Sequence, residues 1–140
     1  MSKTAIVYWS GTGNTEQMAA QVAEGVRSAG GEVVLLTAAE FGPDQLSTYD
    51  AVAFGCPSMG AEQLEESEFE PMFAACESSL TGKKLGLFGS YGWGDGEWMR
   101  TWQTRCTDAG AVLVSEGVIC NDAPDTAAET ACRALGAQLV

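Results

Sequence analysis

The segment Ser10-Gly11-Thr12-Gly13-Asn14-Thr15 concentrates more chemistry than any other part of this 140-residue chain. Its hydroxyls and its amide are hydrogen-bond donors packed into one short loop. Gly11 and Gly13 let main-chain N–H groups converge on a single point. The apolar run Ala5–Trp9 precedes the segment and a helix-period stretch follows it, so the loop opens a helix and gains the partial positive charge of its N-terminus. Such a cup suits one terminal phosphate held by neutral donors. No Gly-Lys-Ser/Thr follows, and Glu16 stands where a dinucleotide fingerprint requires glycine or alanine. The loop contains no Lys or Arg, so the expected ligand is one that stays bound. Phosphoryl transfer would call for a cation near the leaving group.

Two further segments point to a flat ring. Met59-Gly60-Ala61-Glu62 offers a polarizable thioether. Tyr91-Gly92-Trp93-Gly94-Asp95 sets an indole between glycines, which suits a loop tip better than a core. A sulfur and an indole from neighbouring loops can sandwich an aromatic ring, although each alone also reads as core filler or as a hydrophobic lid.

The elements that must position these loops follow from hydrophobic period. Ala5–Trp9, Val33–Leu36, Ala51–Phe54 and Leu85–Gly89 are continuous apolar runs of strand length, and Val112–Val114 with Gly117–Cys120 reads as a broken fifth strand. Met18, Val22 and Val26 share one helical face, and Gly30-Gly31 ends that helix. Thr37–Tyr49 is a looser segment. A second helix is expected over Glu68–Ser79 with Pro71 in its first turn. A third carries Trp98, Trp102 and Cys106, and a last one starts after Asp125 as its cap. Strands apolar on both faces imply a parallel sheet covered by helices on both sides, hence a doubly wound five-stranded α/β fold in one domain, 1–140. In such sheets ligands sit at the carboxyl ends of the strands. The loops Ser10–Thr15, Cys56–Leu64, Ser90–Asp95 and Asn121–Pro124 should therefore hold the function.

Composition narrows the classes further. The chain is 46% hydrophobic and 19% charged, as a globular protein is. Seven Lys+Arg against 19 Asp+Glu leave a net charge of −12, which disfavours nucleic acid and anionic membranes and favours protein partners with basic faces. With no histidine, Ser-His-Asp and Cys-His catalysis and His-ligated metals are excluded. The five scattered cysteines read as buried thiols in a reducing compartment. No apolar run reaches membrane-spanning length, and the N-terminus lacks a secretory pattern, so a soluble, cytoplasmic protein is expected.

Three segments together, Tyr8–Glu16, Gly55-Cys56-Pro57-Ser58-Met59-Gly60 and Gly82 through Gly94, resemble those of the short-chain flavodoxins, and the resemblance covers essentially the whole chain. It implies strand order 2-1-3-4-5 and non-covalently bound FMN. It implies that Ser10, Thr12, Asn14 and Thr15 hold the phosphate, with Gly11 and Gly13 shaping the loop. Met59 and Trp93 would flank the isoalloxazine. Main-chain groups of Gly92 and Gly94, beside Tyr91, would face the pyrimidine edge, and Glu62 would bond N3. Ser90 and Asn121 fall near the ribityl chain, and Ser58 belongs to the same binding segment. Pro57, where some members carry serine, can give the phosphate neither N–H nor hydroxyl.

The implied role is a low-potential one-electron carrier shuttling between semiquinone and hydroquinone, a monomer serving reductases, a hydrogenase or a 2-oxoacid oxidoreductase. The Met59–Gly60 peptide is expected to turn its carbonyl toward flavin N5, because Gly60 tolerates positive φ. Glu62, Glu65, Glu66, Glu68 and Glu70, with Asp95 and Glu97, are expected to oppose the second electron by their summed field. An FMN-dependent NAD(P)H:quinone reductase is the alternative on this fold. A phospho-receiver domain would need acidic residues where Trp9-Ser10 and Gly55-Cys56 stand.

Overall fold

The structure, a computed structural model, describes residues 2–140; Met1 lies outside the described residues. In chain order the elements are β1 (Lys3–Tyr8), α1 (Asn14–Ser28), β2 (Glu32–Thr37), α2 (Pro43–Leu46), β3 (Ala51–Gly55), α3 (Phe69–Glu77), β4 (Lys84–Tyr91), α4 (Glu97–Asp108), β5 (Val112–Leu113), β6 (Val118–Asn121) and α5 (Thr126–Gln138). The strands form one sheet with order β2-β1-β3-β4-β5, and β6 also pairs with β4. Every pairing is parallel. β5 and β6 are thus two pieces of the same fifth position, opposite Lys84-Leu85 and Phe88–Tyr91 respectively.

The apolar runs place the inner strands as expected. Ala5, Ile6 and Val7 of β1 and all of β3 are buried. Alternation divides their side chains between two cores. Val7, Phe54 and Leu87 face α3 and α4, where Phe69, Phe73 and Trp102 meet edge to face or stacked. Ile6, Ala53 and Phe88 face α1 and α5, against Met18, Val22 and Leu135. The expectation of a buried second strand needs correction. β2 lies at the sheet edge with β1 as its one neighbour, and Leu35 remains 37% exposed. An apolar run alone does not tell an edge strand from a central one.

Helix boundaries obey local chemistry. Pro71 is in the first turn of α3, where its missing N–H costs nothing. Asp125 Oδ1 accepts from Ala128 N at 2.8 Å, so it does cap α5. The segment expected to be loose holds a 3-10 turn, Ala38–Glu40, and the short α2. α1 and α5 cross closely because Gly25 and Gly136 lack side chains. A Cβ on Gly25 would lie 2.0 Å from the Arg133 carbonyl oxygen, and one on Gly136 would lie 2.1 Å from that of Val22.

Register aligns the strand ends that carry function. Tyr8 pairs with Gly55, and Gly55 with Phe88. The ladder runs on past the strands, through Trp9 N to Gly55 O (3.0 Å), Ser58 N to Ser90 O (3.0 Å) and Asp122 N to Tyr91 O (2.8 Å). Four loops are thereby tied together at the carboxyl edge of the sheet.

Candidate functional site

A cavity of about 230 Å³ opens where those loops meet. The first loop contributes Gly11, Thr12 and Asn14, the second Pro57, Ser58 and Met59, and the third Ser90, Tyr91 and Gly92. Residues expected from the sequence as one site are brought together from three separate strand ends. Two wall residues were not in the expected set, Trp9 and Asp122.

The first loop is fixed from within. Ser10 Oγ accepts from Gly13 N at 3.1 Å and Glu16 N at 3.3 Å. Gly13 adopts φ 96°, a left-handed conformation that glycine reaches without strain, and α1 starts directly after it. Among the described residues, the N–H groups of Thr12, Asn14 and Thr15 have no partner within the chain. They stand at the positive end of a 15-residue helix. Among the described residues, no Lys or Arg lines the cavity. Ser10 and Gly13 border a neighbouring cavity on the far side of the loop. Thr15 is buried behind the wall, where its Oγ1 lies 3.4 Å from both Ser90 Oγ and Ser90 N. Trp9 separates the two cavities; its indole packs on Gly11 and its Nε1 donates to Glu68 Oε1 at 3.2 Å.

The rim is more exposed. Met59 is 36% and Trp93 61% exposed, and Trp93 with Gly94 stands outside the cavity wall. Met59 and Gln63 exchange both main-chain hydrogen bonds, 2.8 and 2.9 Å, closing a tight turn in which Gly60 has φ 52° and Glu62 φ 52°. The carbonyl expected to turn freely, that of Met59, is therefore already held by Gln63. The Gly60 carbonyl is not engaged among the described residues. Glu62 is not brought to the cavity; its Oε1 accepts from Glu97 N at 3.0 Å and caps α4. A Cβ on Gly94 would meet that carboxylate at 2.5 Å and displace it, and Gly94 itself has φ 89°. Asn121 reaches the Tyr91 carbonyl at 3.4 Å rather than the cavity.

The acidic segment is less of a free field than its sequence suggests. Glu65 is buried and takes N–H groups of Glu68 (2.8 Å) and Phe69 (2.9 Å) on one oxygen and Ser67 on the other, which makes it the cap of α3. Burial alone would push its carboxyl up, but the hydrogen bonds from Ser67, Phe69 and Glu68 hold it below the ordinary range. Glu70 and Glu77 share Arg105 at 2.6 and 2.8 Å, and those bonds hold the guanidinium charged. Asp95 pairs with Arg100 at 3.0 Å. Asp122 is the one carboxylate among the described residues that lines the cavity, and it adopts φ 57°, rare for a residue with a side chain. Cys56, under the site, is pushed up to about 12 by burial and is a protonated packing group.

Sequence reasoning missed Trp9 and Asp122 for different reasons. Trp9 ends an apolar run and reads as strand. Asp122 adopts a left-handed backbone that glycine would have advertised and aspartate does not.

Known proteins are similar to this chain in sequence and fold. The sequence model of the family described as flavodoxin matches residues 6–135. A flavodoxin of Megasphaera elsdenii is 47% identical over 131 residues, covering 94% of this chain and 93% of that protein. A flavodoxin of Clostridium beijerinckii is also 47% identical, over 122 residues, 87% of this chain and 88% of that one. The solution structure of two-electron reduced Megasphaera elsdenii flavodoxin superposes with a TM-score of 0.90 at 46% identity, covering 97% of each chain.

Proposed function

The chain belongs to the flavodoxin family, and from that premise we propose how its own residues hold FMN and set its potentials. It is an FMN-bound electron carrier and not an enzyme that turns over a substrate. The quinone-reductase alternative gains no support. Bound FMN supplies a ring that accepts two electrons in single steps and gains negative charge with the second. Everything else is the work of the chain.

The residues present fit the cofactor. The first loop offers unspent N–H groups, with Thr12 and Asn14 beside them, as a neutral grip for a phosphomonoester. The wall is apolar at Trp9, Met59 and Tyr91, and Ser58 carries a buried hydroxyl without a partner. Drug-sized ligands are mostly buried in pockets of roughly 300–1,000 Å³, so a cavity of about 230 Å³ supports a ligand with one edge left in solvent. An electron carrier needs that exposed edge. Met59, in the cavity wall, and Trp93, exposed at the rim, would flank the ring. The turn's available acceptor for a ring N–H is the Gly60 carbonyl. Ser10 and Gly13 keep the loop in shape, and Thr15 braces Ser90 from behind.

This reading takes 1–140 as one domain, monomeric and cytoplasmic, handing low-potential electrons to redox proteins with basic faces such as reductases, a hydrogenase or a 2-oxoacid oxidoreductase. Redox partners as such follow from the carrier role. Among the described residues no helix is long and apolar enough to cross a membrane. The single observation that carries the proposal is the cation-free cup adjoining an apolar cavity at the strand ends. Stepwise reduction of the FMN-loaded protein, followed by absorption, should give two separated one-electron potentials with the second well below that of free FMN. A single merged two-electron wave would count against it.

A further inference from the structure

We propose that the Ser58 hydroxyl reads the sugar-alcohol chain of the cofactor, by a hydrogen bond to one ribityl hydroxyl; the inference rests on FMN as the ligand. Three side-chain polar atoms of the described residues are enclosed without a hydrogen-bond partner, and Ser58 Oγ is the one whose residue lines the cavity. The other two, Thr4 Oγ1 and Trp102 Nε1, belong to residues outside that wall. A buried hydroxyl left unpaired costs free energy, so a site that keeps one uses it.

Position decides what it meets. Ser58 is pinned by its own N–H to the Ser90 carbonyl at 3.0 Å, and Ser90 is braced on Thr15 at the start of α1, the phosphate side of the cavity. Its next neighbour, Met59, is on the ring side. Ser58 thus stands between the two ends of the ligand, against the part that joins them. The phosphate is served by the free N–H groups of the first loop and needs donors only. The polyol carries hydroxyls that both donate and accept, which is the capacity a serine hydroxyl has and a main-chain N–H lacks. Pro57, which precedes it, offers no N–H to compete.

Calorimetric titration of wild type and Ser58→Ala with FMN, riboflavin and lumiflavin tests this, since the three ligands lose first the phosphate and then the polyol. The expected result is a weakening of FMN and riboflavin by the same factor, about 3- to 10-fold, with lumiflavin unchanged. Removing an unpaired buried hydroxyl should leave the melting temperature of the ligand-free protein the same or slightly higher. A loss confined to FMN would reassign Ser58 to the phosphate and overturn the proposal, as would equal loss with all three ligands or no loss at all. Wild type that ignores FMN would overturn the flavin reading itself, an outcome distinct from every result in which wild type binds and only the variant differs.

Discussion

Asp122 puts the one carboxylate of the cavity wall among the described residues on a left-handed backbone. The Ser10–Thr15 loop was legible because glycines and hydroxyls at a strand-to-helix junction have few other uses. Asp122 was not, because its left-handed backbone and the hydrogen bond from its N–H to the Tyr91 carbonyl are tertiary features that its residue type does not announce. The acids that were legible turn out to be spent elsewhere: Glu65 on α3, Glu62 on α4, and Glu70 on Arg105. Those hydrogen bonds leave each capping carboxylate charged but hold it outside the cavity wall, so Asp122, the one carboxylate in that wall among the described residues, should carry the largest single share of the opposition to the second electron. Asp122→Asn is expected to raise the second potential by roughly 20–40 mV, the size left to a solvent-screened charge near the ring. Replacing Glu62, Glu66 and Glu68 together by Gln should raise it less. Spectroelectrochemistry of both variants checks this, and a larger shift in the triple variant would restore the summed-field account.

Elements were legible in proportion to how strongly one physical period dominated them. The inner stretches Ala5–Val7, Ala51–Phe54 and Leu85–Gly89 are apolar because helices cover both faces, and α1 and α4 keep Met18-Val22-Val26 and Trp98-Trp102-Cys106 on one buried stripe. The edge position of β2 did not follow from its apolar run and came only with the strand order 2-1-3-4-5 that the family resemblance implied, since order in the sheet is a property of crossovers and not of composition. The start of α3 was legible to within a residue, but its cap was not, because it comes from Glu65, a carboxylate that reads as one more surface acid. The Glu65 carboxyl is held below its ordinary value in the folded chain, so its stabilising effect is present above the unfolded value near 4.3 and fades as pH falls through the lower folded one. Glu65→Gln should cost about 1–3 kcal/mol at pH 7, where the charged cap is complete. The gap between the melting curves of variant and wild type should narrow steadily below about pH 4. A gap that stays constant with pH would show that shape alone, and not charge, makes the cap.

The whole molecule is a strongly acidic body with its cavity mouth at one edge of the sheet. Composition stated the sign of that charge but not its distribution, which depends on which carboxylates the fold has already paired. With a net charge of −12, encounter with a basic redox protein is steered by long-range attraction. The second-order rate of electron transfer to such a partner should fall about tenfold between roughly 10 mM and 300 mM salt. A rate indifferent to salt would place recognition in the apolar rim around Met59 and Trp93 instead. Trp9 carries one more consequence. Its indole is part of the cavity wall and is tethered by Glu68, so its distance and angle to whatever occupies that space are set by the fold. A yellow occupant absorbs where indole emits, and the excited state of Trp9 would drain into it; the chain has a built-in optical gauge of its own occupancy.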